Sequence, residues 1–202
     1  PTPMHVVARP NVLLLGAADR NVGKTEFACQ VIRRHAPRWP VYGVKVTPIR
    51  GDGAACPRGG NGCGVCSTLS EPYCITVETS GDGAKDTQRM LRAGATQVLW
   101  LRVRFEHLEA GLHDLLGRIP PGALVVCESN SARLFLQPGL FLMLRAPGGG
   151  AGKQSARLVQ EHADRVVAYS GGHWDLDPAR LAVAGGCWVL QPQATAGILA
   201  GG

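Results

Sequence analysis

The 202-residue chain has no apolar run near the roughly 18–20 residues a membrane-spanning helix needs; its longest, Leu134 to Leu144, is broken by Gln137, Pro138 and Gly139. The N-terminus lacks a positive stretch followed by an apolar core and a small-residue cleavage site, so no secretory signal is read and a cytoplasmic location is expected. Lysine is scarce: Lys24, Lys45, Lys85 and Lys153 are four among 21 basic residues, the rest being arginine. Each lysine is therefore a place where a compact point charge stands instead of a planar fork. The net charge of +6 is scattered along the chain, which suits handling of anions and excludes a dedicated nucleic-acid stripe. No Asn-Lys-x-Asp run exists, so the usual guanine reader of small GTPases is missing and ATP and GTP stay open. There is no internal repeat.

What the chain does have is apolar content for one ample core. Hydrophobic residues make up 45% and charged residues 18%, which excludes global disorder. Short apolar runs at Val12–Leu15, Val41–Val46, Gln97–Val103, Ala123–Cys127, Leu140–Leu144 and Val166–Tyr169 read as strands, with shorter ones at Ile75–Val77 and Trp188–Leu190. Helical spacing is read over Lys24–His35, Ala84–Ala93, Phe105–Leu116, Gln154–Ala163 and Asp177–Val183. Strands alternating with helices predict an α/β fold: a mostly parallel sheet with helices on both faces. We read residues 1–190 as one nucleotide-binding domain and 191–202 as a linker.

The strongest motif is Leu13-Leu-Leu-Gly-Ala-Ala-Asp-Arg-Asn-Val-Gly-Lys-Thr25, a strand feeding a loop that opens a helix. Backbone N–H groups and a helix N-terminus attract phosphate oxygens, Gly23 lets the backbone approach, Lys24 reaches the terminal phosphates and the Thr25 hydroxyl can hold Mg²⁺. The first glycine position is Ala18, and Gly16 falls two residues too early, so the loop is lengthened, with Asp19, Arg20, Asn21 and Val22 as its crown and Glu26 just beyond. A Mg²⁺-phosphate site also wants a carboxylate at a neighbouring strand end, and Glu128 closes the run Ala123-Leu-Val-Val-Cys-Glu. This predicts a P-loop NTPase type of fold. Lys153, after Gly148-Gly-Gly-Ala-Gly152, mimics a second phosphate loop but has Gln154 where Ser or Thr would follow; it is read as a mobile loop opening a helix. His107 and His113 lie off one face of a helix and make no metal pair, and His173 and Trp174 read as a solvated loop.

Residues 48–74 form a Gly/Cys/Pro-rich connection, too long for a structureless loop unless a ligand orders it. Cys56, Cys63, Cys66 and Cys74 fall in it as C-x6-C-x2-C-x7-C, a set of four thiolates that suits tetrahedral Zn²⁺ or a [4Fe–4S] cluster. Seven cysteines in a chain with no export signal favour metal or free thiols over disulfides, and Cys29 and Cys127 are read as core.

The phosphate loop, the Gly43-Val-Lys-Val46 strand and the stretch Gly83-Ala-Lys-Asp-Thr-Gln-Arg-Met-Leu-Arg-Ala-Gly-Ala95 resemble the molybdopterin-guanine dinucleotide biosynthesis protein B family. That family has a Lys-Asp-Ser/Thr segment, an Arg-containing helix, Ala-Gly-Ala and an acidic residue ending the later strand. The Val-Gly-Lys-Thr loop with Asp19 is also similar to dethiobiotin synthetase. The tail Ala194-Thr-Ala-Gly-Ile-Leu-Ala-Gly-Gly202 resembles the opening of molybdenum cofactor guanylyltransferases, implying the start of a nucleotidyltransferase domain. The departures are the lengthened loop, the Cys-rich insert and Glu128-Ser-Asn-Ser131 in place of Glu-Gly. The resemblance implies slow GTP or ATP hydrolysis in metallocofactor maturation, a guanylyltransferase and a molybdoenzyme as partners, and a homodimer. It also implies that Lys45, at its strand's end, and Lys85 neutralise phosphate or cofactor charge, and that Asp86 orients water or Mg²⁺. An ATP-dependent ligase or kinase, and a metal-sensing scaffold, are the alternatives.

Overall fold

The computed structural model describes residues 6–50, 69–150 and 152–192. Its frame is an eight-stranded sheet. In chain order the elements are β1 (Val7–Ala17), α1 (Lys24–His35), β2 (Val41–Ile49), β3 (Tyr73–Val77), α2 (Asp86–Arg92) and β4 (Gln97–Arg104). There follow α3 (Leu108–Gly117), β5 (Leu124–Glu128), β6 (Leu136–Arg145), α4 (Gln154–Arg157), β7 (Arg165–Ser170), β8 (His173–Trp174), β9 (Leu181–Ala184) and β10 (Cys187–Leu190). Strand order is β3-β4-β2-β5-β1-β6-β7-β8, with β9 and β10 as a separate hairpin. The six inner strands run parallel, and antiparallel β3 and β8 close the two edges.

The apolar runs lie in the middle of the sheet because both of its faces are covered. Val12, Leu13, Leu14 and Leu15 are all fully buried, and their alternation serves two cores. Leu13, Leu15, Val126, Leu142 and Leu144 meet Phe27, Val31 and Ile32 of α1, Met90 of α2 and Trp188 of β10. Leu14, Val125, Cys127, Phe141 and Met143 meet Leu108, Leu112 and Leu115 of α3 together with Ala156 and Val159. Burial pushes the Cys127 thiol up to about 12 and the Cys29 thiol up to about 11, as befits core cysteines. No described helix is long and apolar enough to cross a membrane.

Three expected helices differ from the sequence reading. Asp177–Val183 is not a helix: the Asp177 carboxylate accepts the Ala179 N–H at 2.8 Å, Pro178–Arg180 makes a single 3₁₀ turn, and the chain then enters β9. Gly185 and Gly186, both at positive φ, form the two-residue turn to β10, so a hairpin covers that part of the sheet. The helix expected over Gln154–Ala163 is one α turn and a 3₁₀ turn at Gln160–His162, interrupted where Val159 leaves helical geometry at φ −134°. That over Phe105–Leu116 opens as a 3₁₀ turn and becomes α-helical only at Leu108.

Lys45 does not end its strand. β2 continues to Ile49, but its pairing with β5 stops at Lys45 opposite Glu128. Beyond that level β2 pairs with β4 alone, so Pro48, which has no N–H, removes no bond to β5.

Candidate functional site

The carboxyl ends of β1, β2 and β5 open into a cavity of about 940 Å³. It is lined by residues 19–26, by Pro48 near the end of β2 and Arg50 just after it, by Asp86 and Arg89 of α2, by Ser131, and by residues 153–155. Open α/β sheets bind ligands at this edge because strand ends and helix starts converge there.

α1 supplies the first wall. Its buried stripe of Phe27, Ala28, Val31 and Ile32 fixes the helix against the sheet, with Glu26 in the first turn and Arg33, Arg34 and His35 in the last, matching the helix dipole. Gly23 precedes it at φ 67°, a left-handed conformation that only glycine adopts cheaply. A Cβ there would stand 2.9 Å from Trp174 Cζ2 and 3.0 Å from Tyr169 Cε2. The Trp174 indole N–H donates to the Val22 carbonyl at 3.2 Å, and its ring meets Phe27 edge-on at 5.1 Å. His173–Trp174 is thus not a solvated loop but the edge strand whose tryptophan holds the β1–α1 loop.

Four groups meet at the start of α1. The Lys24 ammonium lies 3.6 Å from Glu128 Oε2. Glu128 is 2% exposed, and its Oε1 has no hydrogen-bond partner among the described residues. The Thr25 side chain hydrogen-bonds the Asp86 carboxylate, which also receives the Lys45 ammonium in a short ion pair. Burial works to raise the Asp86 pKa. The Lys45 hydrogen bond and charge, the Thr25 hydrogen bond and the Lys24 charge outweigh it, so the carboxyl sits below its usual range. Arg89 of α2 donates to Glu26 at 2.6 Å, which also pairs with Arg33 at 3.3 Å. Donors at a helix start, an ammonium, a hydroxyl and two carboxylates are the groups that hold a phosphate together with a divalent cation.

The sequence-predicted residues divide accordingly. Asp19, Arg20, Asn21, Val22, Gly23, Lys24, Thr25, Glu26 and Asp86 line the cavity, and Lys45 and Glu128 pair with groups in it. Lys85 does not join them: it stands exposed at the N-cap of α2, its backbone N–H donating to the Gln88 side chain at 3.2 Å. Cys56, Cys63 and Cys66 lie outside the described residues. Cys74 is in β3, half-buried, where Arg102 across the strand pair donates to its Sγ at 3.5 Å. The described residues contain no group of three or more potential metal-ligating side chains.

Sequence reasoning missed three contributors. Asn130 pairs reciprocally with the end of β1, accepting from Ala17 N–H at 2.8 Å and donating to Ala17 C=O at 3.1 Å and to Ser155 Oγ at 3.0 Å. Arg89 was visible only as one arginine of a helix. Lys153 had a signal, the glycines before it, but its placement depends on a contact 134 residues away.

No known family model, curated protein or solved structure matches the chain.

Proposed function

We propose that this chain is a P-loop-type protein that binds the triphosphate of GTP or ATP with Mg²⁺ in the cavity at the β1–α1 loop, hydrolyses it slowly, and serves metallocofactor maturation. The carrying observation is the convergence of Lys24 and Thr25, at the start of α1, with the carboxylates of Glu128 and Asp86. A buried carboxylate with one oxygen unpartnered and one oxygen held by an ammonium is costly unless a further positive group completes it. Thr25, Asp86 and Glu128 form an oxygen donor set suited to Mg²⁺, and these residues would hold it directly or through water. The ion would neutralise charge on the phosphate oxygens. The chain's own part is to seat the polyphosphate on the backbone N–H groups of the loop, to set Lys24 beside it, and to keep Asp86 ionised through Lys45. The volume, about 940 Å³, leaves room for more than a triphosphate.

The maturation role and the Zn²⁺ or [4Fe–4S] site at Cys56, Cys63, Cys66 and Cys74 rest on the resemblance and on cysteine spacing. Iron, zinc and acid-labile sulfide assayed on anaerobically purified protein test the metal. The nucleotide reading is tested by titrating N-methylanthraniloyl GTP and ATP into the protein with and without Mg²⁺. The expected result is saturable, Mg²⁺-dependent binding that Lys24→Met weakens at least a hundredfold. Equal binding by wild type and Lys24→Met overturns the reading.

A further inference from the structure

The glycine-rich stretch Ala146-Pro-Gly-Gly-Gly150 and the pair Gly152-Lys153 are bonded to the β1–α1 loop through Leu144 and Ala146 on one side and Lys153 on the other. Ala18 N–H donates to Leu144 C=O at 2.8 Å, and Lys153 N–H donates back to Ala18 C=O at 2.8 Å. The Asp19 carboxylate accepts the Ala146 N–H at 2.9 Å, and the Lys153 ammonium donates to the Asp19 carbonyl at 2.8 Å. Two of the glycines, Gly149 and Gly152, answer to these contacts. Gly152 sits at φ 67° beside Ala18 C=O, and a Cβ at Gly149 would lie 2.8 Å from Asp19 Oδ2. Arg145 completes the strap by donating to Gly150 C=O at 2.9 Å. Gly148, at φ 66°, serves the turn that Gly149 N–H closes onto Ala146 C=O at 3.2 Å, so the glycines combine a turn with a close approach to the loop.

The strap brings one chemically active group to the cavity. Lys153 lines the same space as Lys24, Arg20 and Ser131. Its ammonium is anchored at the first crown residue, Asp19, while Lys24 stands two residues past the last, Val22, so the two lysines flank the crown. An ammonium is a compact charge that suits phosphate oxygens as a point contact. We propose that Lys153 is a second phosphate-binding lysine, held toward the polyphosphate of a nucleoside triphosphate by its bonds to Ala18 and Asp19. The proposal rests on the nucleotide reading above and adds a residue to it. It also gives Asp19 a role: its carboxylate ties down the strap and does not face the ligand as an acceptor.

The scarcity of lysine makes the test direct, since the chain has four. Wild-type protein is acetylated briefly with an N-hydroxysuccinimide ester, with and without inorganic tripolyphosphate and Mg²⁺, and labelling is read by mass spectrometry. Lys24 and Lys153 are expected to lose labelling at least fivefold, while exposed Lys85 serves as the unchanged reference. Lys153 labelled equally in both samples, with Lys24 protected, overturns the proposal and leaves the nucleotide reading standing. Lys153→Met, checked for fold by circular dichroism, is expected to weaken N-methylanthraniloyl GTP or ATP and tripolyphosphate at least tenfold. A lowered melting temperature with unchanged affinity would mean a purely structural lysine and would refute it. Tripolyphosphate binding lost in Lys153→Met upholds the lysine's role even where both nucleotides fail, whereas failure of all three probes on wild type overturns both readings.

Discussion

Gly23→Ala probes how firmly the β1–α1 loop is fixed, and its cost can be worked from contacts. The residue sits at φ 67°, and placing an L-residue in that region costs about 1–2 kcal/mol. The new Cβ would lie 2.9 Å from Trp174 Cζ2, so the ring or the loop must give way. The ring is held by its N–H bond to Val22 C=O at 3.2 Å and by the edge-on Phe27 contact at 5.1 Å. Losing the bond costs about 0.5–1.5 kcal/mol net and losing the aromatic contact a similar amount, so the whole change is expected to destabilise by about 2–5 kcal/mol. Each kcal/mol lowers the melting temperature of a domain this size by about 2–4 °C. Urea unfolding followed by far-ultraviolet circular dichroism measures it. In a Trp174→Ala background the nearer ring is gone, and the same substitution should cost less, the backbone part of about 1–2 kcal/mol plus whatever adjustment Tyr169, 3.0 Å from the new Cβ, requires. Gly23→Ala within about 0.5 kcal/mol of wild type would refute the conformational argument, that being the range of an ordinary surface change. An equal cost in both backgrounds would refute the role given to Trp174.

Three further outcomes follow from burial. Trp188 is 1% exposed and its indole N–H donates to Val125 C=O at 3.1 Å, so Trp188→Ala should cost about 3–5 kcal/mol in urea unfolding, a loss that would show the β9–β10 hairpin to be part of the core. His35, edge-on to Trp188, has its pKa lowered by burial, with the Leu181 carbonyl opposing and the charges of Arg34 and Arg38 adding. The fold therefore favours the neutral ring. Its contribution is complete above the unfolded value of about 6.5 and is lost as pH falls through the lower folded value, so the urea midpoint should drop on acidification and do so less in His35→Gln. Iodoacetamide at pH 8 should modify Cys74 and Cys187, both half-buried, well before Cys29 and Cys127, whose thiols burial pushes up to about 11 and about 12; mass spectrometry that finds Cys127 alkylated first would contradict the core assignment.

The parts of this molecule legible in its sequence are those whose cause is local. Val12 to Leu15 announced a strand buried on both faces, and Gly23-Lys-Thr25 announced a helix opening from a loop. Asp177–Val183 was misread because Ala, Arg and Leu suit a helix as well as a strand. The deciding signal stood just outside the window, in Gly185-Gly186, which only a tight hairpin turn requires. Trp174 and Lys153 were misread for another reason. Each is surrounded in sequence by glycines and polar residues that look solvated, and each acquires its role from a backbone carbonyl more than a hundred residues away. Such contacts leave no periodicity. They do leave a small residue where two segments approach, as at Gly149, which closes a turn onto Ala146 C=O and where a Cβ would also lie 2.8 Å from the carboxylate of Asp19. The glycine cluster before Lys153 thus combines a turn, at Gly148, with a close approach to the loop, at Gly149 and Gly152, and Lys153 is where the functional argument can be put to the test.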